Sequence, residues 1–107
     1  MFSIDENNKV KLTIGDTASF ICTIVDNDNN RRVPQDGDSL KMYIDGTDFE
    51  IEAVINNDNY NFIIAGSDTL DLEPGVYMYR VVLNNDYTII QDCFIDLLTG
   101  KEDENEG

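Results

Sequence analysis

Apolar residues recur at every second position through most of this chain, and no stretch shows the three-and-four spacing of an amphipathic helix. That pattern restricts the chain to strands, each with an inward and an outward side. Val10, Leu12 and Ile14 alternate with Lys11 and Thr13 before Gly15-Asp16 turns the chain. Ala18, Phe20, Cys22 and Ile24 share the next face, while Ile21 and Val25 make the opposite face apolar too, as in a central strand covered on both sides. After a polar loop over residues 26 to 38 with Pro34 and Gly37, three more alternating segments follow. They are Leu40, Met42 and Ile44; then Phe49, Ile51, Ala53 and Ile55; then Tyr60, Phe62 and Ile64. The longest aromatic strand carries Tyr77, Tyr79, Val81 and Leu83 on one side and Val76, Met78, Arg80 and Val82 on the other. Asn84-Asn85-Asp86 forms a hairpin turn, because Asn and Asp tolerate the positive φ that tight hairpins need. From Tyr87 to Leu97 the parity breaks: Ile89, Cys93, Ile95 and Leu97 share one face and Ile90 and Phe94 the other, which a bulge near Gln91-Asp92 reconciles.

About seven short strands at this turn spacing read as an all-β fold, an immunoglobulin-like antiparallel β-sandwich, with a small closed barrel as the alternative. A chain of 107 residues has room for one such core. Residues 9 to 98 are expected to form the sandwich, residues 1 to 8 an N-terminal arm that docks on a neighbouring subunit or, alternatively, completes the domain's own sheet through Phe2 and Ile4, and residues 99 to 107 a disordered acidic tail, since KEDENEG has nothing to bury. No apolar run reaches the roughly 20 residues that cross a bilayer. Met1 is followed by Phe2, Ser3, Ile4, Asp5 and Glu6, without a basic region or an apolar signal core, so the chain is expected to remain in the cytoplasm where it is made.

Charge is the strongest bias in composition, with 22 acids against 7 basic residues for a net of -15. Phosphate backbones and anionic membranes are held by clustered Lys and Arg, and the only adjacent basic pair is Arg31-Arg32 in an Asp- and Asn-rich loop. Neither nucleic acid nor membrane is therefore an expected partner. So acidic a surface serves solubility, or meets a basic surface on a larger assembly.

Chemistry is sparse. There is no His, no GxSxG, no phosphate-cradling Gly loop and no zinc spacing, so no catalytic residue and no cofactor are expected. Cys22 and Cys93 lie in apolar runs and read as small core side chains; a bridge between sheets needs their Cα atoms within about 7 Å, and a cytoplasmic setting favours free thiols. Asp26, Asp28 and Asn30 place oxygen side chains at alternate positions, a weak calcium candidate that Asp36 or Asp38 could complete. Arg31 stands where an EF-hand loop needs Gly, and no Glu closes the loop, so the turn-forming role of these residues is the simpler account.

The most informative segment is Leu72-Glu73-Pro74-Gly75-Val76-Tyr77-Met78-Tyr79-Arg80-Val81. Pro74 and Gly75 turn the chain, and Tyr77 is placed to fold its hydroxyl back onto upstream backbone as the tyrosine corner of a sandwich. Together with Leu12-Thr13-Ile14-Gly15-Asp16-Thr17-Ala18 and the Val25-Asp26-Asn27-Asp28-Asn29 loop, this order resembles the immunoglobulin-like modules of tailed-phage virion proteins. The N-terminal domain of baseplate upper proteins is the nearest version, with head-fibre and capsid-decorating modules beside it; fibronectin type III domains share a similar Leu-x-Pro-Gly entry. The resemblance covers roughly residues 9 to 98 and implies a non-enzymatic structural protein of a bacteriophage virion, assembled in the host cytoplasm. Such a protein decorates the capsid or connects to a fibre or baseplate by contacts with other virion proteins or with its own copies. It brings no catalytic residues, and the fibre or receptor-binding part of longer members has no counterpart here.

Two other functions fit the composition: a bacterial immunoglobulin-like adhesion module, for which an export signal would be expected, and an acidic inhibitor or nucleic-acid mimic, for which carboxylates should gather on one surface. Contact residues are expected among the outward apolar side chains Ile21, Val25, Met78 and Val82, with Tyr43 beside them, and in the arm through Phe2 and Ile4.

Overall fold

The structure, a computed structural model, describes residues 2–25 and 28–99. Their strands are β1 (Phe2–Ile4), β2 (Val10–Thr13), β3 (Ala18–Cys22), β4 (Leu40–Ile44), β5 (Glu50–Glu52), β6 (Val54–Asn56), β7 (Asn59–Ile64), β8 (Gly75–Leu83) and β9 (Tyr87–Leu98). Six form a sheet in the order β1-β2-β9-β8-β4-β5, and three form a second sheet in the order β3-β7-β6. The protein is all-β: the helical content of the described residues is a single 3-10 turn at Gly66–Asp68. The larger sheet curls into a half-barrel.

The strands number nine rather than about seven for two physical reasons. The segment read as one strand over Phe49 to Ile55 is divided at Ala53, where the chain leaves β4 and joins β7, so that β5 belongs to the large sheet and β6 to the small one. The residues before Val10 also pair: Phe2–Ile4 lies antiparallel to Val10–Leu12. Of the two readings of these residues, the pairing favours the one in which Phe2 and Ile4 complete the domain's own sheet. Phe2 stacks on Phe20 at 5.4 Å and Phe20 on Phe62 at 5.3 Å, a three-ring column joining β1, β3 and β7. Beyond it, the buried Tyr79 hydroxyl donates to the Asn8 carbonyl in the β1–β2 turn. The arm is held because its rings and carbonyls complete the core. Met1 lies outside the described residues.

The alternation read from the sequence is what packs the two sheets. Val10, Leu12, Leu40, Met42, Ile44, Tyr60, Phe62, Ile64, Tyr79, Val81, Ile95 and Leu97 are all buried. Each large apolar side chain contributes about 1.5–3 kcal/mol when fully removed from water. The β6–β7 hairpin turns on Asn57-Asp58, both at positive φ, the backbone a two-residue hairpin requires, and the β8–β9 hairpin turns on the three residues Asn84-Asn85-Asp86, of which Asn84 and Asn85 are at positive φ. On β9 the register against β8 shifts between Tyr79 and Val81 and again between Val81 and Val82, and Asp92 sits at the first shift with φ 59. The added residues reverse the parity of β9 at that point. Behind the β2–β3 turn, Gly66 lies so close to the Gly15 backbone that a Cβ there would collide with the Gly15 carbonyl. Buried Thr69 receives the Gly15 N–H at 2.9 Å.

A second correction concerns β3. Its two apolar faces imply a central strand, yet β3 is an edge, because β1 and β2 pair toward β9 and leave the outer side of β3 without a strand partner in its sheet. Ile21 and Val25 are consequently exposed.

Candidate interaction surface

The long loop before β4 is anchored by one carboxylate. Asp38, with its side chain only 5% exposed, accepts from Arg32 at 3.0 and 3.1 Å, from the Gln35 N–H at 2.9 Å, from the Tyr60 hydroxyl at 2.7 Å and from Asn84 Nδ2 at 3.3 Å. Burial raises the proton affinity of Asp38, but these donors and the Arg32 charge outweigh it and hold the carboxyl below its ordinary range. Tyr60 moves the other way, its hydroxyl made harder to ionise by burial and by the Asp38 charge. The loop, β7 and the β8–β9 hairpin are thereby tied at one point, and the sequence patterning carried no sign of it.

At the opposite end, the Tyr77 hydroxyl donates to the Glu73 carbonyl at 2.7 Å. Between them Pro74 is exposed and Gly75 has φ 151, a conformation costly for any residue with a Cβ. The bond spans the Pro-Gly turn and fixes the point at which β8 enters the sheet.

Beyond this corner, β8 and β9 present Val76, Met78 and Phe94 on the outer face of the large sheet, all exposed, with Met78 directly opposite Phe94. Arg80 bounds the patch on one side, its guanidinium 4.6 Å from the centre of the half-buried Tyr43 ring and 3.6 Å from Asp45. Asp96, opposite Val76, bounds it on another. Val82, expected outside, is half-buried between Lys41 and Thr88 of the flanking strands and belongs only to the margin. Phe94 escaped the sequence reading because its facing depends on where the β9 bulge falls.

A groove of about 300 Å³ runs between the edge of β3 and the bulged part of β9, lined among others by Ile4, Ile21, Val25, Ile89 and Ile90. Ile4 is exposed at its mouth, whereas Phe2 is engaged in the core.

Cys22 and Cys93 are not bridged to each other, Cys22 being buried and Cys93 partly so. Burial pushes Cys22 up to about 11 and also raises Cys93, which leaves neither a thiolate at neutral pH. Of the calcium candidates, Asp26 lies outside the described residues, and Asp28 and Asn30 are exposed. Among the described residues no three His, Cys, Asp or Glu side chains gather into a group that could hold a metal ion. The acidic tail from Lys101 onward lies outside the described residues. Comparison with protein-family models, with curated proteins and with solved structures finds no significant match to this chain.

Proposed function

We propose that the chain is an immunoglobulin-like sandwich serving as a non-enzymatic structural protein of a bacteriophage virion, docking on other virion proteins through the outer face of its large sheet. Strand order supports the fold reading. The small sheet β3-β7-β6 matches the B-E-D strands of an immunoglobulin sandwich and β4-β8-β9 matches C-F-G. Tyr77 makes the corner bond at the start of the F-like strand. Two residues on, where antibody domains carry the second cysteine of their inter-sheet bridge, stands Tyr79, and Cys22 on the B-like strand lines the same groove.

The observation that carries the functional reading is the Val76–Met78–Phe94 patch. A strongly acidic chain of this size has little reason to spread a Phe and a Met over its outer face unless another protein covers them. With the resemblance of the Leu-Glu-Pro-Gly-Val-Tyr segment, that patch favours a capsid-decorating or baseplate-connecting part, assembled in the host cytoplasm. Mass spectrometry of purified phage particles tests the reading: the chain is expected among the particle proteins, and its absence overturns the proposal.

A further inference from the structure

The small sheet differs from the rest of the molecule in charge. Its three strands hold fourteen residues, and none is Asp, Glu, Lys or Arg, although such residues make up 27% of the chain. In the large sheet β2, β4, β5, β8 and β9 each carry at least one. The outer face of the small sheet is composed of Ser19 and Ile21 on β3, Asn59, Asn61 and Ile63 on β7, and Val54 and Asn56 on β6, as the cross-strand register dictates. Ile21, Ile63 and Val54 are 56%, 57% and 52% exposed. Ile21 and Val54 both flank Asn61 in one row across the three strands, with Ile63 and Ser19 two residues along.

We infer that this face packs against the same face of a second copy of the chain, forming a two-fold dimer distinct from the contacts made by the Val76–Met78–Phe94 patch. The charge distribution selects the occupant. With a net of -15, two copies repel wherever carboxylates face each other, and the small sheet is the strand surface they can join without bringing any together. A basic partner would instead be drawn to the acidic remainder and gains nothing from strands that carry no carboxylate and that the Arg31 guanidinium borders at Asn59. An isologous arrangement places the Ile21, Ile63 and Val54 side chains against those of the second copy at the roughly 10 Å spacing of stacked sheets. Asn59 and Asn61 already bond within the chain, Asn59 Oδ1 accepting from the Arg31 guanidinium and Asn61 Nδ2 donating to the Val54 and Asn59 carbonyls, so these groups stay paired when the face is covered.

Sedimentation equilibrium of the full chain, from about 0.01 M to about 1 M NaCl, over which the Debye length falls from about 30 Å to about 3 Å, tests this. The expected result is a monomer–dimer equilibrium that tightens with salt, because screening removes the repulsion between the acidic bodies and leaves the apolar contact. Ile63→Asp and Ile21→Asp should each weaken association by at least about tenfold while melting with the unaltered chain. Val76→Asp, on the other sheet, should leave it unchanged. A chain that stays monomeric at high salt, or a dimer that dissociates with salt or survives both Ile substitutions, overturns the inference.

Discussion

The Tyr60 hydroxyl reaches the Asp38 carboxylate at 2.7 Å across 22 residues of chain, joining the long loop to a core strand. Because Asp38 also holds Arg32, Gln35 and Asn84, removing the carboxylate orphans several donors at once. Asp38→Asn should cost about 2–3 kcal/mol and Tyr60→Phe about 1 kcal/mol in urea unfolding. The double variant should lose less than the sum, since both act through one bond.

Acid should erase the Asp38 contribution. Its folded-state affinity for protons is lowered, so the stabilisation is fully present above the unfolded carboxyl value of about 3.9 and disappears as pH falls through the lower folded value. The gap in melting temperature between the unaltered chain and Asp38→Asn is therefore expected to be constant near neutrality and to close below about pH 4. A gap that persists undiminished in strong acid would mean that the carboxylate charge is not what holds the loop.

The corner should respond to two different changes. Tyr77→Phe removes one hydrogen bond to the Glu73 carbonyl and should cost about 0.5–1.5 kcal/mol. Gly75→Ala should cost about 1–3 kcal/mol through backbone strain at φ 151. Crowding is not its cause, since a Cβ there meets Tyr77 only at an ordinary 3.7 Å. Chemical denaturation of both variants measures these losses.

Deleting residues 1 to 8 should destabilise the isolated domain by about 2–4 kcal/mol, because it exposes Phe20 and leaves the buried Tyr79 hydroxyl without its acceptor. An unchanged melting temperature after the deletion would restore these residues to the role of a free arm.

The strands were legible because alternation reports directly on which side is buried, and Tyr60, Phe62 and Ile64 point inward as their spacing requires. The parity break near Gln91-Asp92 was equally visible, since a reversal of facing without a turn demands an added residue, and Asp92 can adopt the positive φ. What periodicity cannot report is which strand lies beside which. The apolar outer positions Ile21 and Val25 looked like the second covered side of a central strand, and only the pairing of β2 with β9 makes β3 an edge. The same holds for Ala53, where a change of sheet interrupts no pattern, and for Asp38, one of 22 acids until Tyr60 and Arg32 converge on it. Phe94 joined the candidate contact surface only when the bulge fixed its direction, and Val82 moved to its margin because the neighbouring strands cover most of its surface.

Particle incorporation of a surface variant tests the docking claim most directly. Met78 stands opposite Phe94 with 37% of its surface exposed, so Met78→Asp places a charge in the patch while the core beneath it stays intact. In phage lacking the gene and supplied with either chain, mass spectrometry of purified particles should find the unaltered protein and at least about tenfold less of a Met78→Asp protein that melts normally, as expected when a charge is buried unpaired in a contact. Equal incorporation of the two chains, or particles that contain neither, would contradict the account.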